Sequence, residues 1–254
     1  MISEFLKVTP KDIRYYIRNL RHLVFEVTDR CNLNCKYCAY SELYRGNDTR
    51  EGIDMSYKRA KILIDYLHDL WKESKTDSNN YELAIGFYGG EPLMNIPFIK
   101  QVIDYLESFF YSRNCEVIEN EMFLQSPRVA WLSDYLMHQS GNNFQNHNEL
   151  CVNKDDFPMT TGTCVPFASK MFVTVNGKIL PCERISQQFS LGKVYEDRVE
   201  LNEDHITDRH NFYVSRYEKQ CVNCACNRFC MQCVYQIDDI FKDNHYLLHK
   251  PNFI

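Results

Sequence analysis

Cys31, Cys35 and Cys38 stand in the pattern C-x3-C-x2-C directly after an apolar, strand-like run at 23–27. Thiolates are soft ligands, and three on one short loop converge on a single soft metal site as the chain curls around their sulfurs. Three ligands leave one iron of a four-iron cluster without a protein donor. An open iron can bind a substrate or cofactor, as a catalytic metal keeps a free position that a structural one lacks. The spacing thus points to chemistry, with a structural zinc that borrows a distant fourth ligand as the alternative.

Twelve cysteines in 254 residues pose a choice between a disulfide framework and metal ligation. Disulfide scaffolds belong to small secreted chains. This chain is long enough for a substantial core, and its opening Met-Ile-Ser-Glu-Phe-Leu-Lys lacks the charged-then-apolar order of a secretory signal. Ligation in a reducing, cytoplasmic setting is expected. Further candidates follow as Cys164-x12-Gly177-x4-Cys182, then Cys221-x2-Cys224-x5-Cys230 and Cys233, with a zinc ribbon as the competing use of such C-x2-C knuckles. Cys115 has no motif context and reads as a core thiol. A formal charge of -5 and a pI near 5.9 give no electrostatic case for nucleic acid or an anionic membrane. No apolar run approaches the roughly 20 residues that span a bilayer.

These residues need elements to position them. Residues 55–71 carry Ala60, Ile62, Leu63, Tyr66, Leu67, Leu70 and Trp71 at helical spacing. Residues 82–88 read as a buried strand ended by Gly89-Gly90, and 97–111 as a second helix through Phe98, Val102, Ile103, Leu106 and Phe110. Strand, helix, strand, helix is the pattern of a parallel α/β sheet with functional loops at the carboxyl ends of its strands. The Cys31 loop and the Gly89 loop both fall at such ends. A weaker strand at 116–118 and a helix at 129–138 extend the pattern, and the polar stretch 141–148 reads as a linker. Beyond it, two apolar runs joined by Asn176-Gly177 predict a hairpin with a type I′ turn.

With Tyr37 just before the last cysteine, the 31–38 segment resembles the signature of the radical S-adenosylmethionine (SAM) enzymes, and Gly89-Gly90-Glu91-Pro92 resembles their GGEP motif. Alone, two glycines before Glu-Pro are a common turn; after such a cysteine loop the pair is specific. The resemblance implies a [4Fe-4S] cluster on Cys31, Cys35 and Cys38. It also implies that Gly89, Gly90, Glu91 and Pro92, with Tyr37, hold S-adenosyl-L-methionine, the bare glycines admitting it to the backbone and Glu91 accepting from its ammonium. The later cysteines resemble the SPASM extension, which carries auxiliary [4Fe-4S] clusters in members acting on peptides. By that resemblance Cys164, Cys182 and Cys233 serve one auxiliary cluster with Cys151 as an outlying fourth ligand, and Cys221, Cys224, Cys230 and Cys226 the other. Cys230 to Cys233 is C-x2-C where the family usually has C-x3-C, and no later cysteine follows.

The implied fold is a partial (β/α) barrel, apparently shortened, with a SPASM-like C-terminal domain. Its expected parts are an N-terminal helical segment (1–22), the barrel (23–140), a linker (141–163) and the cysteine-rich domain (164–254). About 140 residues separate Leu23 from Cys164, enough for four βα units of about 30 residues and short of six. The implied activity is that of a peptide maturase acting on a ribosomally synthesised precursor peptide, with a low-potential donor such as ferredoxin or flavodoxin. Two alternatives stand beside it: an anaerobic sulfatase-maturating enzyme with Glu183 as base, and a catalytically inactive iron–sulfur partner that binds peptide or relays electrons. Against the base role, Glu183 also reads as a solvated carboxylate paired with Arg184.

Overall fold

The computed structural model describes residues 7–33, 50–72, 83–110, 164–221, 233 and 235, with backbone alone at 109–110 and 217–221. The strand expected at 116–118, the helix at 129–138 and the linker at 141–148 lie outside those residues.

Helix α1 (Pro10–Arg18) opens on a capping box in which Thr9 and Asp12 exchange side-chain and backbone hydrogen bonds, and it buries Ile13 and Ile17. Strand β1 (His22–Thr28) follows, then α2 (Tyr57–Lys72), β2 (Ala84–Gly89), a 3₁₀ turn (Pro92–Asn95) and α3 (Ile96–Phe110). After Cys164 come β3 (Lys170–Val173), β4 (Lys178–Leu180), a 3₁₀ turn (Gln187–Phe189), β5 (Gly192–Val194), β6 (Val199–Leu201) and α4 (Glu203–Cys221). The described strands form one open, mixed sheet in the order β2-β1-β3-β4-β5-β6. β1 pairs in parallel with β2 and with β3, and the remaining pairs are antiparallel. The molecule is therefore α/β, and strands on both sides of the 141–163 stretch share one sheet.

The apolar run of β1 is continuous because both faces are covered. Leu23, Phe25 and Val27 enter the larger core with Ile13, Ile17, Leu63, Leu67, Phe98 and Val102, so α1, α2 and α3 back this face. Val24 points the other way, into a cluster with Phe172, Leu180, Ile185, Phe189, Tyr213 and Tyr235, against which Tyr88 and Cys233 pack. Glu26 and Thr28, at alternate positions with Val24, are also buried.

The hairpin forms, but its turn differs from the expected type I′. That turn needs positive φ at both Asn176 and Gly177, and only Gly177 has it, at 80°. Gly177 N–H donates to Thr174 O at 2.8 Å, Thr174 N–H to Lys178 O at 3.0 Å, and Lys178 N–H to Thr174 Oγ1 at 3.1 Å. The connection is thus three residues, 175–177, closed by a left-handed glycine. Val175 N–H leaves the turn to donate to Glu26 Oε2 at 2.8 Å, which ties the hairpin tip to β1.

Candidate functional site

Asp29 and Arg30 separate Thr28, the last residue of β1, from Cys31, and all three are anchored. Thr28 Oγ1 donates to Ile53 O at 3.1 Å and accepts from Arg30 N–H at 3.1 Å. The buried Asp29 carboxylate accepts the N–H of Ile53 at 2.6 Å and of Glu51 at 2.8 Å, while Asp29 N–H returns to Ile53 O at 3.0 Å. The Arg30 guanidinium reaches both oxygens of Asp54, at 2.6 and 2.7 Å through Nη2. Cys31 emerges from this neck half-exposed, its Sγ accepting Leu33 N–H at 3.4 Å. Cys35, Cys38 and Tyr37 lie outside the described residues.

The second motif is fastened to the same neck. Gly90 N–H donates to Thr28 O and Glu91 N–H to Arg30 O, both at 2.8 Å. The glycines make that approach possible. A Cβ on Gly89, whose φ is 139°, would stand 2.3 Å from Thr28 O, and one on Gly90 would stand 2.0 Å from Arg30 O. Their smallness serves first the contact between the two loops. Glu91 caps the turn that follows, its Oε1 accepting Leu93 N–H at 3.1 Å, with Pro92 at the first position of the turn where a missing N–H costs nothing. One carboxylate oxygen is thus committed locally. The structure brings Cys31, Gly89, Gly90, Glu91 and Pro92 together at the carboxyl end of β1 and β2.

Cys164, Cys182 and Glu183 stand at the opposite end. Lys170 pairs with His22 at the start of β1, and β4 runs back past it, so Cys182 and Glu183 follow Leu180 at that end. From His22 to Thr28 is about 20 Å of strand. Cys182 Sγ accepts the N–H two residues on, from Arg184 at 3.3 Å, the same arrangement as at Cys31. Burial pushes the Cys182 thiol up to about 11, with Cys164 close enough to add to the shift. Glu183 corrects its expected surroundings: it is half-buried and paired with Lys170 Nζ at 3.0 Å, where pairing with Arg184 was the alternative to a base role. Burial raises its carboxyl, but hydrogen bonds from its own backbone and from Lys170 outweigh that and leave it below the usual range. A carboxylate so held is a poor proton acceptor near neutral pH.

Cys233, like Tyr88, packs against the aromatic cluster. Cys221 ends α4, and Cys224, Cys226 and Cys230, like Cys115 and Cys151, lie outside the described residues. Among the described residues, no three Cys, His, Asp or Glu side chains converge as a metal site. None of Cys31, Cys164, Cys182 and Cys233 is in a disulfide.

Two known proteins share parts of this sequence. An uncharacterized protein of Methanocaldococcus jannaschii is 37% identical over 115 residues, 45% of this chain and 35% of that protein. The radical SAM cyclopropyl synthase TigE of Paramaledivibacter caminithermalis is 36% identical over 87 residues, 32% of this chain and 18% of TigE. Part of this chain is related to a radical SAM enzyme. The chain spans about a third of the first relative's length and about a fifth of the second's. No family model matches the chain.

Sequence reasoning passed over the residues that hold the neck, Asp29, Arg30 and Asp54, and the buried Glu26 on β1. Asp29 and Arg30 directly precede Cys31, which was the available signal. The partner of Asp29 is backbone, which no residue type announces. Among the described residues, no helix is long and apolar enough to cross a membrane.

Proposed function

We propose that this chain is a radical SAM enzyme that matures peptides. The observation that carries the reading is the pair of hydrogen bonds joining Gly90 and Glu91 to Thr28 and Arg30, which makes the two motifs one site at the root of Cys31. The similarity to TigE supports the chemistry.

The donor set fits an iron–sulfur cluster: Cys31 offers a partly exposed sulfur that already accepts an N–H, and Cys35 and Cys38 follow four and seven residues on. When bound there, such a cluster supplies one-electron reduction of SAM, breaking a C–S bond to give methionine and a 5′-deoxyadenosyl radical that takes a hydrogen atom from substrate. The residues of this chain bind and orient. Glu91 keeps one oxygen for an ammonium while the other caps the turn. Gly89 and Gly90 keep the β2 loop against the neck, so the ammonium acceptor is held to the root of Cys31.

The peptide substrate is favoured by the resemblance of the later cysteines to an auxiliary-cluster domain, in which Cys164 and Cys182 would belong to a second iron–sulfur site. Ferredoxin or flavodoxin as donor, and a cytoplasmic setting, belong to the same reading.

Anaerobic reconstitution with iron and sulfide, followed by dithionite and SAM, tests it. Wild type forms 5′-deoxyadenosine, and the Cys31→Ala, Cys35→Ala, Cys38→Ala variant forms none while retaining auxiliary-cluster absorbance. Product formed equally by the triple variant overturns the assignment.

A further inference from the structure

β1 ends at Thr28, and the segment 27–30 that leads to Cys31 is laced to the segment 51–55. The Asp29 side chain supplies two of these bonds by itself: it is 5% exposed, and its two oxygens separately accept the N–H groups of Ile53 and Glu51. Around it stand the bonds from Met55 N–H to Val27 O at 2.9 Å and from Asp29 N–H to Ile53 O, and the Arg30–Asp54 pair. The neck is also the surface on which Gly90 and Glu91 are pinned. A three-thiolate loop tethered at a wide neck would spread its sulfurs over many positions, and that freedom would be lost on each binding event.

On the reading given under Proposed function, we propose that Asp29 is a positioning residue for the iron–sulfur site: by closing the neck at Glu51 and Ile53 it fixes the root of the Cys31 loop against the Gly90–Glu91 segment, and so sets cluster retention and SAM affinity. Arg30 and Asp54 back it from the solvent side. Asp54 is 42% exposed, and an ion pair so placed contributes little to global stability. Its contribution is local to the neck.

The test uses the full reconstituted chain. Asp29→Asn puts an NH₂ group against an N–H donor and removes one of the two acceptances. Iron release to a chelator from the SAM-responsive cluster, followed by its electron paramagnetic resonance signal, should quicken by about tenfold or more, with SAM affinity read from the same signal falling about tenfold. The midpoint potential of that cluster should shift, because hydrogen bonds and exposure around the sulfurs set it. Signals from other clusters should stay unchanged. Asp54→Asn, which leaves a surface pair unmade and keeps the fold, should show the same direction at about threefold with an unaltered melting temperature. Variants that melt lower but match wild type in iron release, SAM affinity and potential overturn the inference and leave Asp29 an ordinary support of the fold. A wild type with no SAM-responsive cluster overturns the functional reading and the inference together, so the two failures are distinguishable.

Discussion

Glu183 sits beside a cysteine that offers its sulfur to a backbone N–H, yet its own chemistry is taken up by Lys170, whose Nζ lies 3.0 and 3.2 Å from the two carboxylate oxygens. Its side chain is only 15% exposed, so the pair is shielded from solvent and the carboxylate stays below its usual range. The strand geometry puts it on the order of 20 Å from the root of Cys31. Both facts argue that Glu183 organises the Lys170–Cys182 corner and is no base for chemistry at the Cys31 end of β1. Glu183→Gln should accordingly leave both SAM cleavage and peptide product within about twofold of wild type, since a base mutant loses on the order of 10²-fold or more of product. The check is 5′-deoxyadenosine formation and peptide product measured side by side. A collapse of peptide product with SAM cleavage intact would return Glu183 to a base role.

The loop after β2 depends on backbone meeting backbone. Gly90→Ala would set a methyl group 2.0 Å from Arg30 O and 2.5 Å from Arg30 C, contacts that flexible side chains cannot relieve. Either the loop lifts from the neck or the neck opens. Denaturant unfolding of Gly90→Ala should show a loss of about 1–3 kcal/mol, the usual cost of overpacking, together with loss of SAM binding. Unchanged stability and affinity would mean that the two loops are not fastened as described. Elements with a strong period were legible in the sequence: β1, α2, β2 and α3 fall where the apolar spacing predicted them. β5 and β6 escaped notice because each is three residues long, too short to display alternation. α4 mixes charge with its buried Ile206, Tyr213 and Val214, so no broad apolar stripe declares it. The cysteine and glycine motifs of the site were legible because their residue types are chemically distinctive. The neck was not, since Asp29 finds its partners 22 and 24 residues away among main-chain N–H groups.

Across the whole molecule, β1 is the axis. It carries the Cys31 neck at one end and, through its pairing with β3, the Lys170–Glu183–Cys182 corner at the other. Glu26 on its middle joins the hairpin tip to the strand. Arg59 on α2 joins the same hairpin, contacting Val175 O and Glu196. The arrangement holds Cys31 and Cys182 toward opposite ends of one sheet, with Cys31 on the side of the Gly90–Glu91 segment. On the proposed function, the Cys31 loop and that segment form a single SAM-binding iron–sulfur site. The most direct measurement is the electron paramagnetic resonance spectrum of the dithionite-reduced, reconstituted protein before and after SAM. One component should change on adding SAM, that component should be missing from the Cys31→Ala, Cys35→Ala, Cys38→Ala variant, and the remaining signal should be indifferent to SAM. A spectrum in which no component responds to SAM, with full iron loading, would contradict the proposed function.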